Sequence, residues 1–441
     1  MGYFARSRFV LALAAFACVS LRADEWPAWR GPDGSGHAAD AHDLPIMWSE
    51  TENIAWKTPL PGRGWSSPVI AGDRIWMTTA IERQATAEER AKRLEGVKNP
   101  GPLAVVISAS LRAICVDRTT GRLLHDVELF AVDDPQPIHS LNSYASPSPV
   151  LADGLLYCHF GDHGTACVDT ATAKVVWANR ELRLDHVNGP GSTPIVWGNL
   201  LVVHCDGSDT QSIAALDTAT GKLAWKTPRS GTLRDDPDLK KAYGTPLSLT
   251  LDGRELLVSP AADWLYAYDP ATGRELWKAS YGVLGFSIVP KPVAAHGLVF
   301  TSTSFMQPEI LAWKLASTDS PPSIAWRQKR GAPTMSSLLV VGDELYAVSD
   351  RGVASCFDAR TGEPRWTERL GGNFSSSPVF ADGRIYVANR EGETFVLQPG
   401  RSYEMLAKNV LEGQIMATPV PLGRAIYLRT DRAIYRIEKR R

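Results

Sequence analysis

The chain is poor in the features that announce a reaction. It has no G-x-S-x-G elbow, no phosphate-binding loop and no H-E-x-x-H pair, so nucleophilic serine catalysis, nucleotide hydrolysis and zincin chemistry have no support. Its six cysteines include no adjacent pair and no C-x-x-C, which excludes covalent haem attachment through C-x-x-C-H. No D-x-[DN]-x-[DN]-G calcium loop occurs. Charge of one sign is lacking too, with 47 basic against 48 acidic residues. That balance gives no electrostatic case for nucleic acid. Beyond the N-terminus no apolar run is long enough to cross a bilayer.

The first 23 residues read as a targeting segment. Arg6 and Arg8 precede the apolar run Phe9 to Val19, and Ala23 stands before Asp24. Removing Arg6, Arg8 and Arg22 with it leaves 44 basic against 48 acidic residues, so an exported, mildly acidic protein is expected, periplasmic or extracellular. Cys18 offers lipid anchoring as the alternative, although Phe16 fits a lipoprotein signal poorly. Residues 24–53 form an irregular arm rich in Trp and Gly, expected to pack on the outside of the fold. Cys115, Cys158, Cys167, Cys205 and Cys356 read as buried thiols, with a Cys158–Cys167 bridge as the alternative in an oxidising compartment.

What is present is repetition. IAALDTATGKLAWK (213–226) returns as LYAYDPATGRELWK (265–278), ASCFDARTGEPRWT (354–367), TACVDTATAKVVWA (165–178) and, without tryptophan, LRAICVDRTTGRLLH (111–125). Each copy is a strand, a turn and a second strand. Each is preceded by a Ser/Thr-Pro segment, a strand, a Gly-Asp or Asp-Gly turn and another strand. Seven complete four-stranded units run from Trp65 to Leu411, the first carrying a charged insertion over 81–102 that should form a short surface helix. The eighth starts at Ile415 and lacks its outer strand, and an orphan outer strand, IAWKTPL, stands at Ile54–Leu60. Pairing the two closes a circle and removes exposed edges. The expected fold is all-β: an eight-bladed β-propeller over 54–441, closed by the N-terminal strand completing the C-terminal blade.

Periodic residues then have a structural reading. Trp177, Trp225, Trp277, Trp326 and Trp366 recur at intervals of 48, 52, 49 and 40 residues, as a wedge between blades. Asp117, Asp169, Asp217, Asp269 and Asp358 satisfy turn amides, and Gly121, Gly221, Gly273 and Gly362 supply the left-handed turn conformation.

The A-x-D-x-x-T-G-x-x-x-W pattern resembles the PQQ-type propeller repeats of quinoprotein alcohol dehydrogenases and of the bacterial outer-membrane assembly propeller lipoprotein. The resemblance covers residues 54–438. DEWPAWRGPDGSG and FGDHGTACVDT further resemble secreted PQQ-like repeat proteins of planctomycete-type bacteria, whose function is largely unassigned. The quinoprotein resemblance would imply PQQ over a calcium ion held by Glu and Asn, with an Asp base and a vicinal disulfide. This chain has no vicinal cysteines, and those positions find no residue-by-residue match.

Function on such a ring belongs at the mouth of the central channel. The loops approaching each inner strand and the middle loops between second and third strands should share one face. They place Trp65, Asn142, Tyr144, Asp185, His186, Asn188, Tyr243, Phe286, Asn373 and Phe374, with Asp162, His163 and Glu309 from the middle loops, around the mouth as candidate ligand-binding residues. His186 could have its tautomer set by Asp185. With His139 and His163 it could also form a metal site, though the spacing matches no ligand motif. These residues support an exported, non-catalytic binding or assembly scaffold for a protein or peptide partner, with a small ligand in the mouth as an option. The alternatives are a PQQ- and calcium-dependent oxidoreductase of alcohols or sugars and a carbohydrate-binding or carbohydrate-active propeller.

Overall fold

The computed structural model describes residues 25–440; the expected targeting segment and Cys18 lie outside the described residues. Eight antiparallel sheets stand around one axis in the expected order. Blade 1 comprises Val69–Ala71, Arg74–Gln84, Val106–Asp117 and Leu123–Asp133; blade 2 comprises Val150–Ala152, Leu155–His159, Thr165–Asp169 and Lys174–Asn179. Blades 3 to 7 begin with Ile195–Trp197, Leu247–Leu251, Val293–Ala295, Leu339–Val341 and Val379–Ala381. Blade 8 is built from Val420–Leu422, Ala425–Arg429 and Ala433–Glu438, and Ile54–Pro59 adds its outer strand, with Thr58 opposite Ile434. The ring is thus closed by backbone hydrogen bonds between the two ends of the chain. In the first blade the insertion forms the helix Ala87–Arg93, started by a capping box between Thr86 and Glu89.

The core lies between blades, where alternate residues of each strand face the neighbouring sheet. The tryptophan wedge works as a two-point latch. Trp177 Nε1 donates to Thr218 O (2.8 Å) of the next blade, and two residues on, Asn179 Nδ2 donates to Gly221 O (2.7 Å). Trp225 with Thr227 does the same to Pro270 O and Gly273 O, and Trp326 with Gln328 to Ala359 O and Gly362 O. Trp56 with Thr58, from the orphan strand, latches blade 8 to blade 1. The indole lies against the turn glycine, so that a Cβ on Gly221 would stand 2.4 Å from Trp177 Cε3. Within each turn the aspartate accepts the amides that follow it; Asp217 Oδ1 takes Thr220 N–H (2.9 Å) and Oγ1–H (2.7 Å).

The exceptions follow the same rule. Blade 1 has no tryptophan on its outer strand, and the blade 2 turn that faces it has Ala173 at φ +56° where the others have glycine. Blade 5 has no Asp-x-x-Thr-Gly turn, and Trp277 of blade 4 is buried without an acceptor for its N–H. Blade 7 has lost the motif in QPGRSYEML, yet Gly400 O still accepts Trp366 Nε1 (3.0 Å).

The N-terminal arm does not lie outside the ring. Glu25–Trp26 pairs antiparallel with the inner strand of blade 1, Trp26 opposite Ile70. His37–Ala38 pairs parallel with the inner strand of blade 7. Between them Pro27 O accepts Leu151 N–H of blade 2, Trp29 Nε1 donates to Thr418 Oγ1 of blade 8, and Arg30 Nη2 donates to Leu338 O of blade 6. The arm therefore enters the channel at the end of the turns, rises to Trp29, folds back at Arg30–Gly36 and leaves the way it came. Inner strands have a free edge towards the axis, and the arm uses those edges as a template. After leaving, it wraps blades 7 and 8, where Trp48 N–H binds Asn409 Oδ1 (2.8 Å) and its ring stacks near Tyr386.

All five described cysteines are free and buried. Cys158 packs in the core between blades 1 and 2, and Cys167 in the core between blades 2 and 3. The two face opposite sides of one sheet, which rules out the hairpin bridge. Among the described residues no helix is long and apolar enough to cross a membrane.

Candidate functional site

Approach loops and middle loops share one face, and the carboxylates there serve the loops. Asp350 Oδ1 accepts the amides of Thr334 (2.9 Å) and Met335 (3.2 Å), and Asp431 Oδ1 accepts that of Gln414 (2.7 Å). Glu391 accepts the amide and side chain of Asn373, Asp209 the amide of Asp185, and Asp162 the side chain of Gln136. Asp263 pairs with Arg234 through two bonds of 3.0 Å. In six blades, then, the middle-loop carboxylate ties down the approach loop of its own blade. Their recurrence is loop anchoring, the short-range role for which acidic residues suit turns.

Below these loops runs a belt that sequence reading treated only as local capping. The residue before the inner strand's proline, or before Leu338 in blade 6, sends its amide to the hydroxyl of the corresponding residue one blade on. Ser67 N–H binds Ser148 Oγ (2.9 Å), Ser148 binds Thr193, and Thr193 binds Thr245. Lys291 N–H binds Ser337 Oγ, Ser337 binds Ser377, Ser377 binds Thr418, and Thr418 returns to Ser67 Oγ (2.9 Å). Blade 5 breaks the belt, because Lys291 stands where the other blades have a hydroxyl. Its Nζ lies against the arm, 1.8 Å from where a Gly34 Cβ would be, and burial pushes its pKa down to about 8, helped by Arg30. Lys291→Thr is expected to supply the missing hydroxyl for Thr245 N–H and remove a buried cation. It should raise stability by ~1 kcal/mol, read as a higher urea midpoint at neutral pH.

The mouth is a cavity of about 310 Å³ between the belt and the approach loops. Trp29 of the arm lies at its floor beside the belt, and Trp65, Tyr243, Phe286 and Phe305 line its walls with Leu141, Met335 and Met416. Asn142 and Asn188 also line it, and Asn142 Nδ2 already donates to Asn188 O (2.7 Å) and Pro190 O (3.1 Å). No Lys, Arg, Asp or Glu lines the cavity. Its histidine, His139, is held below its ordinary pKa by burial and by Arg390, so it is neutral at pH 7.

Of the thirteen candidate residues, Trp65, Asn142, Asn188, Tyr243 and Phe286 line this cavity. The others lie elsewhere. Tyr144 is fully buried, with its hydroxyl on Gln136 O (2.6 Å). Phe374 packs in the core against Phe395, and Asn373 sits on Glu391. Glu309 is a buried carboxylate 3.5 Å from Arg327 and 3.6 Å from Lys329. Asp185 accepts Val187 N–H and Ser208 Oγ–H and does not orient His186. Trp29, Phe305 and Met416 were missed, the first because an aperiodic arm gives no sign of running inside a ring.

Asp162, His163 and His186 do come together, but beneath the loops and buried. Asp162 Oδ1 lies 3.5 Å from His163 Nδ1 and 3.6 Å from His186 Nε2. His186 Nε2 accepts the Asp162 amide (3.0 Å), which fixes its proton on Nδ1. Among the described residues no group of three or more His, Cys, Asp or Glu could hold a metal ion; the three histidines weighed as a metal site are not brought together, since His139 stands in the mouth apart from the buried pair.

Burial pushes Asp162 up to about 6, His159 and His163 down to about 4, and His186 down to about 3. Between pH 4 and 6.5 the unfolded chain binds more protons at these histidines than the folded one, so their contribution to stability is present above pH 6.5 and lost as pH falls through 4. Asp162, protonated more readily when folded, opposes this with one proton against three. Acidification from pH 6.5 to 4 is expected to lower the urea midpoint steadily, and His163→Gln to make the fall shallower.

Solved structures share the architecture. BamB from Moraxella catarrhalis aligns with a TM-score of 0.53 at 15% identity over 74% of this chain and 93% of its own. A europium-containing methanol dehydrogenase aligns at 0.51 and 12% identity, over 93% and 91%. The computationally designed Ika8 protein aligns at 0.53 and 13%, over 86% and 100%. At such identities the likeness is one of fold. Among curated proteins none matches the chain. The model of the family described as outer membrane protein assembly factor BamB matches residues 83–320 and 314–415, about three quarters of the chain, and the protein belongs to that family.

Proposed function

We propose that the protein is an exported, non-catalytic binding scaffold that engages a protein or peptide partner through the loop face around the channel mouth. The observation that carries this reading is the uncharged, apolar lining of the mouth. PQQ is polyanionic, and a calcium ion beneath it needs carboxylate and amide oxygens. The lining has no carboxylate for the ion, the neighbouring cation, Arg390, stands behind the lining on Ser375 (2.8 Å) and Met335 (3.1 Å), and the Asn142 side chain is committed to backbone carbonyls. The residues at the mouth do not fit that cofactor. A carbohydrate-active site would need two carboxylates flanking the bond to be cleaved, and the loop carboxylates instead anchor their own loops. Export is supported by the N-terminal leader pattern and by the family's outer-membrane assembly description.

The test is site-specific photo-crosslinking of the full chain in an exporting bacterial host. A crosslinker at Leu141 or Phe305, on the rim, is expected to give discrete adducts, and one at Ala219, in a turn on the opposite face, none. Adducts from Ala219 alone would contradict the loop-face reading.

A further inference from the structure

Resting on that loop-face reading, we propose that the mouth is a blind socket for one uncharged aromatic side chain, tyrosine, presented by an extended segment of the partner. The channel cannot be threaded, because the arm fills it behind Trp29, whose indole is pinned to Thr418 Oγ1 at 3.1 Å. What binds must therefore be a side chain or chain end. A volume of about 310 Å³ is at the small end of ligand pockets, which run from roughly 300 to 1,000 Å³.

Three features select the occupant. The walls of Tyr243, Phe286, Phe305 and Met416 suit an aromatic ring by edge, face and sulfur contacts. No lining residue is charged, and the neighbouring cation, Arg390, is engaged with Ser375 and Met335 behind the lining, so an ionised group moved in from water finds no partner among the walls and is penalised. The belt hydroxyls of Ser67, Ser148, Thr193 and Thr245 line the same cavity, and each accepts a neighbour's amide while keeping its own hydrogen to donate. A ring whose tip is an oxygen acceptor answers those donors; a phenol does so and an indole N–H does not.

The rim argues for a partner segment over a free small molecule. Leu141, Phe305 and Met306 are 38%, 37% and 60% exposed around the opening, and a ligand confined to the socket would leave them in water. Exposed apolar residues gathered around one opening mark an interaction site. A segment carrying the tyrosine would cover it with its flanking residues.

The experiment is ligand-observed NMR titration of the full chain with Ac-Gly-Leu-Tyr-Leu-Gly-amide and its Phe, Trp, phosphotyrosine and Ala counterparts, beside N-acetyl-tyrosinamide. Saturable binding is expected for the tyrosine peptide, at least threefold weaker for Phe and Trp, and at least tenfold weaker for phosphotyrosine and Ala. Met416→Lys and the rim variant Leu141→Asp should each weaken it at least tenfold without lowering the melting temperature. If Met416→Lys fails to fold, Leu141→Asp decides alone. Equal affinity for N-acetyl-tyrosinamide and the peptide would overturn the partner segment and leave a small-ligand site. No binding, or no preference for tyrosine over alanine, would overturn the socket. In that case persisting crosslinks from Leu141 would keep the loop-face reading, and their loss would remove both.

Discussion

Replacing Asp206 with alanine is expected to destabilise the protein by about 3–5 kcal/mol, the cost of leaving a buried charge without its partner. Asp206 and Arg229 form a bidentate pair, Nε to Oδ1 at 3.0 Å and Nη2 to Oδ2 at 2.7 Å, with both side chains 1% exposed. Burial disfavours the Arg229 charge, but the Asp206 carboxylate more than offsets it and holds the pKa above its ordinary value. Arg229 Nη1 also donates to Ser259 Oγ (2.7 Å), and its guanidinium lies 5.0 Å from the Tyr266 ring centroid. The pair thus ties the end of blade 3 to blade 4. Alanine removes both acceptors and leaves a cation that cannot deprotonate or reach water. Arg229→Met added to Asp206→Ala should recover most of the loss, since an apolar residue of similar length fills the space without a charge. Urea midpoints of the four proteins in a double-mutant cycle measure the coupling.

Gly273→Ala is expected to cost at least about 2 kcal/mol, of which roughly 1–2 is the left-handed conformation alone. Gly273 has φ +70°, and an added Cβ would stand 2.4 Å from Trp225 Cε3 and 2.5 Å from Cδ2. The indole cannot retreat without breaking its bond to Pro270 O and the adjoining bond from Thr227 to Gly273 O. The same substitution at Gly383, where a Cβ meets nothing within 4 Å, should cost only the conformational part. The difference between the two urea midpoints isolates the clash, and equal losses would show that the latch yields.

The ring was legible because most blades repeat the same short signals: a Ser/Thr-Pro before the inner strand, two turn pairs and a tryptophan on the outer strand. Even its closure could be read, since an outer strand stood at one end and its absence at the other. The arm was not legible. Its strands are two residues long, and their register is set by the free edges of blades 1 and 7, contacts that no local pattern encodes. The hydroxyl belt was visible as Ser-Pro and Thr-Pro pairs, but each reads as a local cap until the ring brings successive blades side by side. One signal was there to be taken: Lys291 is the only residue to put a charge in that repeat position.

The candidate site divides in the same way. Loop position identified Trp65, Asn142, Asn188, Tyr243 and Phe286 as neighbours of the mouth. It could not separate them from Tyr144 and Phe374, which differ only in the direction of the side chain. Nor could it tell that the middle-loop carboxylates turn towards their own approach loops. Composition gave those acids the look of a polar backing for a ligand, and the geometry gives them loops to hold.

The central claim is that the mouth is an uncharged site suited to a partner and unsuited to an anionic quinone over calcium. Calorimetric titration of the mature chain with PQQ, with and without calcium, tests it most directly. The account predicts no saturable heat and no change in melting temperature in either condition. Calcium-dependent binding at micromolar concentration or tighter, weakened by substitution of Trp29 or Asn142, would contradict it and favour the quinone-dependent oxidoreductase alternative.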